Sequence, residues 1–124
     1  NPVPGVSWVP NASFSDEFDG SALDSGKWWA KNPTWAGRQP GLFVEANVRV
    51  RNGFLGLWAE HARLNASERR LGFDNYTTAA VQSKRMPLYG LFEVRSQIGN
   101  SSISSSFWFT NNGKDMPWRT EIDV

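Results

Sequence analysis

The chain has 124 residues, 40% of them apolar, with 13 basic and 12 acidic side chains and a formal net charge of +1. This near balance provides no basic stripe for a nucleic-acid backbone, and no run of about 18 apolar residues could span a bilayer, so we expect neither partner. Cysteine is absent and His61 is the single histidine, which excludes disulfides and thiolate metal sites, argues against a Ser-His-Asp triad, and leaves carboxylates as the candidate catalytic groups.

Residues 1–13 are predicted to form an extended leader. The first ten residues contain three prolines and one glycine, and proline disfavours a helix because it lacks a backbone N–H and restricts φ. The charged and then apolar pattern of a signal peptide does not begin at Asn1. We therefore expect that the protein, if it is secreted to an extracellular or periplasmic location, has already been processed.

A period of two in the apolar residues predicts β-strands along the rest of the chain. Residues 47–51 alternate, Asn52-Gly53 is a hairpin turn pair, and residues 54–59 return as the second strand. Four further strands are predicted, at residues 78–83, 90–96, 104–110 and 119–124. Residues 59–70 lack an apolar stripe, so we expect an exposed loop or a single helical turn there, with His61 on the surface. The spacing of these strands indicates an all-β sandwich.

Two carboxylates on the last predicted strand are the candidate catalytic groups. Alternate side chains of a strand lie on the same face, so Glu121 and Asp123 project together, with Cα atoms about 6.6 Å apart at a rise of ~3.3 Å per residue. A Glu-x-Asp triplet is short, and by itself it also fits an ordinary strand with one solvated face. Arg119 shares this parity, and it either contacts a substrate or pairs with a carboxylate.

Five successive segments resemble glycoside hydrolase family 16. They are FSDEFDGSALDSGKW at 14–28, NVRV and NGFLGL within 47–57, YGLFEVR at 89–95, SFWF at 106–109 and TEIDV at 120–124. Because both order and spacing match over residues 14–124, the resemblance is more specific than any one segment. It implies a concanavalin A-like jelly roll that hydrolyses β-linked glucans or galactans, endo-acting and with retention.

The resemblance implies that Glu121 is the nucleophile and that Asp123 assists it by hydrogen bonding. In this family a second glutamate, the acid/base residue, follows the aspartate after one or two further positions, beyond Val124. Glutamates four positions apart on a strand have Cα atoms roughly 13 Å apart, and side chains that lean together bring the carboxyl groups near the 5–5.5 Å of retaining hydrolysis. We therefore expect residues 14–124 to be the amino-terminal part, about half, of one catalytic domain, and to be inactive without its continuation.

The segment Trp35-Ala-Gly-Arg38 is the most informative one for the substrate. Tryptophan either fills a core or stacks on a sugar ring, and arginine offers a charged planar fork to a sulfate or a hydroxyl pair. Followed by Pro40 and Phe43, the segment resembles the β-porphyranases of family 16, whose substrate is a sulfated red-algal galactan. The resemblance thus implies cleavage of β-1,4 linkages in porphyran, with a β-agarase or a non-catalytic carbohydrate-binding jelly roll as the alternatives.

Two further tryptophans are candidates for the substrate cleft. Trp108 lies between Phe107 and Phe109, and strand alternation points it away from both. If the phenylalanines face the core, Trp108 faces the cleft. The direction of Trp118 stays open, because the turn at residues 114–117 precedes it.

The resemblance also implies a structural Ca²⁺, with no cofactor for catalysis. Many family 16 enzymes bind calcium through the early Asp-Glu-Phe region and a main-chain carbonyl near the Asn-Gly hairpin. Glu17 and Gly53 are the matching positions, and oxygen atoms are the ligands that calcium prefers.

Overall fold

The computed structural model describes residues 4–111 and 117–124, and there the chain is built from short strands. In chain order the strands are β1 (Trp28–Trp29), β2 (Gly41–Phe43), β3 (Val48–Arg51), β4 (Phe54–Leu57), β5 (Glu60–His61), β6 (Tyr76–Thr78), β7 (Gln82–Ser83), β8 (Trp108–Thr110) and β9 (Glu121–Asp123). A 3-10 turn (Glu45–Asn47) precedes β3, and the helix α1 (Ala66–Arg70) lies between β5 and β6. The elements belong to two compact units, Asn1–Pro87 and Leu88–Val124.

The predicted hairpin of β3 and β4 is confirmed. The two strands pair antiparallel, with Val50 opposite Leu55. Asn52 and Gly53 connect them with φ values of +54° and +76°. Two successive positive φ values define a type I′ turn, and Asn-Gly is the pair that adopts it at least cost.

Strands β2, β6 and β5 form a three-stranded sheet in the first unit. β2 runs parallel to β6, and β5 runs antiparallel to it. Beside this sheet the Asn47 Nδ2 atom donates to the Thr77 hydroxyl at 3.0 Å, and Asn47 is only 2% exposed. This bond satisfies a buried polar group and ties the start of β3 to β6. The buried apolar residues of the described chain are few: Leu64, Phe73 and Ala80.

The early Asp-Glu-Phe segment is joined to β1 by a polar and an aromatic contact. Trp28 donates its indole N–H to the Asp16 carboxylate at 2.8 Å. Phe14 and Phe18 lie against the same indole, with ring centroids 6.1 and 5.8 Å away. β1 in turn pairs antiparallel with β7. Asp16 and Phe18 therefore join this segment to β1, and Glu17 between them is exposed.

The expectation of a loop or a single turn over residues 59–70 is largely confirmed. Helix α1 has five residues and begins with a capping box, in which the Asn65 side chain accepts from the N–H of Glu68 and Glu68 accepts from the N–H of Asn65. The short strand β5 was not expected in this segment, and His61 at its end is exposed as predicted. Among the described residues, no helix is long and apolar enough to cross a membrane.

Four strand predictions need correction. The strand predicted at residues 90–96 is wrong, since these residues are exposed and irregular. The strand predicted at 78–83 is divided between the end of β6 and β7, and those at 104–110 and 119–124 shorten to β8 and β9. Alternation in a sequence reports which face a side chain would occupy, but a strand also requires a neighbour to receive its hydrogen bonds. Residues 90–96 have no such neighbour in the described chain.

Candidate active site

The hairpin of β8 and β9 places the two candidate catalytic carboxylates on one face. The strands pair antiparallel, with Trp108 opposite Asp123 and Thr110 opposite Glu121. Directly opposed residues of an antiparallel pair project to the same side of the sheet. One face therefore presents Glu121, Asp123, Trp108 and Thr110 together, and we call it the carboxylate face.

The other face of this hairpin is aromatic. Phe109 lies opposite Ile122 in the ladder. The Phe109 ring meets Phe107 and Phe92 edge to face, at centroid distances of 5.1 and 4.9 Å. This arrangement gives Trp108 the opposite direction from its two phenylalanine neighbours, which was the geometric condition for its proposed place in a cleft.

Arg119 forms an ion pair with the candidate nucleophile. Its Nη2 atom lies 2.7 Å from Glu121 Oε2, with 71% of the arginine side chain and 41% of the glutamate side chain exposed. Of the two interpretations of Arg119, the structure thus shows the pairing. A charge-assisted hydrogen bond at this distance orients the carboxylate. No protein donor within the described chain contacts Glu121 Oε1.

Asn111 closes the hairpin, a role that the sequence analysis missed. Its Nδ2 atom donates to the Trp118 carbonyl at 2.8 Å, and its Oδ1 atom accepts from the Thr120 N–H at 3.2 Å. The Thr110 hydroxyl also donates to the Thr120 carbonyl at 3.0 Å. These bonds hold the chain directly before Glu121. Asparagine at the end of a strand was the available signal, because its amide substitutes for a backbone peptide group.

Trp118 is anchored through its main chain and keeps an exposed side chain. The carbonyl that Asn111 holds belongs to this residue, and 57% of Trp118 is exposed. Its ring makes no aromatic contact with the described residues. An exposed indole on a fixed backbone offers a flat surface to a ligand.

The candidate substrate segment with Trp35 and Arg38 lies in the other compact unit, in a loop before β2. Asn32 begins this loop, and its Oδ1 atom accepts from the N–H groups of Thr34 and Trp35, both at 2.9 Å. This Asx turn was not foreseen, although Asn followed by Pro-Thr is a common way to begin a turn. It fixes the backbone that presents Trp35.

Gly37 allows the loop to fold tightly onto β2. Its φ of +131° is a value that residues with a Cβ atom rarely adopt, and a Cβ atom here would overlap the Gly41 carbonyl oxygen. The Phe43 N–H donates to the Ala36 carbonyl at 2.8 Å. The loop is thus bonded to the strand that follows it.

Trp35 and Arg38 differ in how much of each side chain the protein engages. The Trp35 ring meets Phe43 edge to face at 5.1 Å, and 39% of Trp35 stays exposed. The Arg38 side chain is exposed and has no ion pair or hydrogen bond with the described residues. Trp35 is therefore a partly packed surface, and Arg38 is a charge with no internal partner.

The two residues proposed as calcium ligands, Glu17 and Gly53, would supply only part of a calcium ligand set. Glu17 and Gly53 are both exposed in the first unit. Within residues 4–111 and 117–124, no three Asp, Glu or His side chains converge as metal ligands. Since Ca²⁺ takes six to eight oxygen atoms, main-chain carbonyls and water would have to provide most of them.

Known proteins resemble this chain over most of its length. The family model described as "Beta-porphyranase A-D, GH16 domain" matches residues 8–124. β-Porphyranase D of Zobellia galactanivorans is 39% identical over 114 residues, which are 90% of this chain and 27% of that protein. β-Porphyranase E of the same organism is 38% identical over 125 residues, which are 97% of this chain and 43% of that protein. The chain thus spans less than half the length of these relatives.

A solved structure resembles the described fold. It is the crystal structure of the β-porphyranase BpGH16B from the human gut bacterium Bacteroides plebeius, with a TM-score of 0.56 and 30% sequence identity. The match covers 68% of this chain and 30% of that one. The expected fold class, an all-β jelly roll of which this chain forms a part, is thereby confirmed.

Proposed function

Since this chain belongs to glycoside hydrolase family 16, in its β-porphyranase A–D group, we propose that the full-length protein hydrolyses β-1,4 linkages inside porphyran chains with retention. The membership expected from the five sequence segments is confirmed. The activity is proposed for the full-length protein because the chain spans 27% and 43% of the two relatives named above.

The observation that best supports a glycosidase is the pairing of Glu121 with Thr110 and of Asp123 with Trp108 across one short hairpin. It places two carboxylates beside an indole surface on one face. A retaining glycosidase requires a carboxylate nucleophile at the anomeric carbon, and sugar rings stack on aromatic faces. A lectin-like module would use the indole but would have no need of the carboxylates.

In the proposed mechanism Glu121 attacks the anomeric carbon. Its Oε2 atom is held by Arg119, so Oε1 is the oxygen that forms the new C–O bond. The glycosidic C–O bond breaks as a general acid gives its proton to the leaving oxygen, and water then hydrolyses the glycosyl-enzyme. Asp123, two residues along the same face, accepts a hydrogen bond from the sugar or from its neighbours and keeps the site anionic.

The choice of porphyran is supported by Trp35 and Arg38. Trp35 presents a partly exposed ring, and Arg38 presents a guanidinium that has no ion pair or hydrogen bond with the described residues. A sulfate ester accepts two parallel hydrogen bonds from such a fork. Agarose has no sulfate, and it would use the ring alone.

The test of this proposal is release of reducing ends from porphyran, agarose and laminarin, measured side by side with the full-length protein. Porphyran should be the best substrate. Equal rates on porphyran and agarose would indicate an agarase, and laminarin as the best substrate would contradict both. Binding of porphyran without release of reducing ends would indicate a carbohydrate-binding jelly roll.

Two further properties belong to this proposal. A polysaccharide does not cross a membrane intact, so the protein acts outside the cytoplasm, in the medium or the periplasm. Glu17 and the Gly53 carbonyl contribute to a structural calcium site, where the ion would join the early segment to the β3–β4 turn. Calorimetry tests this second property: a chelator should lower Tm in the unsubstituted protein and much less in Glu17→Gln. Equal lowering in both would contradict the assignment.

A further inference from the structure

An open depression in the first unit is lined by basic and amide side chains. It has a volume of about 390 Å³, and its lining residues are His61, Ala62, Arg63, Arg69 and Asn75. They come from the end of β5, the last turn of α1 and the residue before β6. Glu121 and Asp123 belong to the other unit and are not among these lining residues.

The walls of the depression are fixed by local bonds. His61 pairs with Tyr76 in the β5–β6 ladder, and their rings lie 4.5 Å apart between centroids. The Ala62 N–H donates to the Asn75 carbonyl at 3.0 Å. The capping box at Asn65 fixes the start of α1, and with it the position of Arg69. A site with preset walls loses little conformational entropy when a ligand binds.

The two arginines of the depression have no internal partner. Within the part of the chain that the structure describes, neither Arg63 nor Arg69 forms an ion pair or a side-chain hydrogen bond. Arg49 and Arg119, by contrast, each donate to a carboxylate at 2.6 and 2.7 Å. Two guanidinium groups therefore line one depression, and neither has a carboxylate within ion-pair distance in the described chain.

Two acidic residues next to lining residues in the sequence, Asp74 and Glu68, keep their charges and accept hydrogen bonds from asparagine groups. Asp74 accepts from the Asn75 Nδ2 atom at 3.0 Å, and Glu68 accepts from the Asn65 N–H at 2.8 Å. No carboxylate is among the lining residues. An external anion is therefore the ligand class that matches this charge.

We propose that the depression is a second carbohydrate site, which binds a sulfate ester of a sulfated galactan chain. This inference rests on the proposed function, since it takes its ligand from the substrate class. Arg63 and Arg69 offer planar forks to sulfate oxygens, and the Asn75 amide and His61 add polar contacts. Tyr76 is 39% exposed beside His61, which offers an aromatic surface to the sugar ring. The depression is wide open to solvent, as an attachment site on a long polymer would have to be.

Such a site would retain a polymer while another stretch of the same chain reaches the carboxylates. Two attachment points raise the effective concentration of the second one once the first is occupied. The gain applies to a polymer chain that occupies both sites at once.

The experiment is affinity electrophoresis of the full-length Glu121→Gln protein in gels that contain porphyran or agarose. Arg63→Ala/Arg69→Ala should raise the apparent Kd for porphyran by between about twofold and thirtyfold, the range for two exposed charge pairs, and leave agarose retention unchanged. The apparent Kd of Arg63→Lys/Arg69→Lys should lie between those of the unsubstituted arginine pair and the double alanine variant. Lysine keeps the positive charge but lacks the planar guanidinium that donates two parallel hydrogen bonds. Arg70→Ala is the matched control, since Arg70 lies on the same helix but outside the lining. Circular dichroism confirms that each variant is folded.

Several outcomes would overturn the inference. One is an equal loss of retention in Arg70→Ala and in the double alanine variant, which would show only general charge attraction. Another is unchanged retention in the double variant. A third is complete displacement of porphyran by inorganic sulfate at the same concentration of sulfate groups, which would show a site for a free anion.

The proposed function fails separately from this inference. Hydrolysis is measured on the protein with Glu121 intact, and retention is measured without turnover. Arginine-dependent retention without any hydrolysis would contradict the glycosidase and leave the second site supported. Hydrolysis of porphyran, together with unchanged retention in the double variant, would support the glycosidase and contradict the second site.

Discussion

The β8–β9 hairpin and the Trp35–Arg38 loop each present an arginine and an indole, but the two arginines are in different electrostatic situations. Arg119 is paired with Glu121 at 2.7 Å, whereas Arg38 has no ion pair or hydrogen bond within the described chain. A paired guanidinium orients a carboxylate, and an unpaired one is available to an external anion. This difference matches the roles proposed for the two regions, catalysis for the hairpin and substrate selection for the loop.

The largest effect is expected at the proposed nucleophile. Glu121→Gln keeps the shape of the side chain but removes the charge that attacks the anomeric carbon, so kcat on porphyran should fall at least about a thousandfold. Porphyran binding should persist. Asp123→Asn is the matched neighbour on the same face, with a smaller loss of about one to two decades. The nucleophile assignment is wrong if Glu121→Gln keeps most of its kcat.

The next largest effect is expected in the Trp35–Arg38 loop, where two variants distinguish binding of the sulfate from stacking on the sugar ring. Arg38→Ala removes a charge-assisted contact of roughly 1.5–3 kcal/mol, so kcat/KM should fall about one to two decades on porphyran and little on agarose. Trp35→Ala should lower both, because stacking on a ring does not depend on sulfate. The measurement is reducing-end release from both polymers. If Arg38→Ala and Trp35→Ala lowered kcat/KM equally on porphyran and agarose, the proposal that Arg38 recognises the sulfate would be contradicted.

A third test concerns the support of the hairpin. Asn111→Ala removes the bonds to the Trp118 carbonyl and the Thr120 N–H, each worth about 0.5–1.5 kcal/mol. We expect a lower Tm and a several-fold lower kcat, because the strand before Glu121 is less fixed. Asn111→Asp is the control, since it keeps the acceptor and loses the donor. A variant with unchanged Tm and kcat would show that the ladder alone positions β9.

The smallest effect is expected at Arg119. Its pair with Glu121 is largely exposed, and exposed pairs contribute about 0.2–1 kcal/mol. Arg119→Ala should therefore change kcat by only a few-fold and leave the preference for porphyran over agarose unchanged. That ratio of rates is the readout. A loss confined to the sulfated substrate would place Arg119 with Arg38 as a contact of the anion.

Local chemistry explains what could be predicted from the sequence. The β3–β4 hairpin follows from Asn52-Gly53, because two positive φ values in succession suit this pair. The shared face of Glu121 and Asp123, and the opposite direction of Trp108 from its phenylalanine neighbours, follow from the period of two. Each of these features depends on residues close together in the chain.

The features that could not be predicted depend on distant partners. Residues 90–96 alternate as a strand should, yet in the structure they are irregular, because alternation does not specify a pairing neighbour. The parallel pairing of β2 with β6, and the buried bond from Asn47 to Thr77, join residues about 30 positions apart. Proximity of this kind is not visible in a linear pattern.

The sequence by itself determined the family, the all-β class and the two carboxylates on one face, since these depend on residue type, order and strand parity. Only the tertiary structure decided which arginines are paired and which are free. Arg119 and Arg49 meet carboxylates, while Arg38, Arg63 and Arg69 meet none in the described chain. The physical reason is that a charge pairs with a carboxylate that the fold brings within about 4 Å of it. Strand parity permits the Arg119–Glu121 pair without requiring it, and packing places Glu60 beside Arg49.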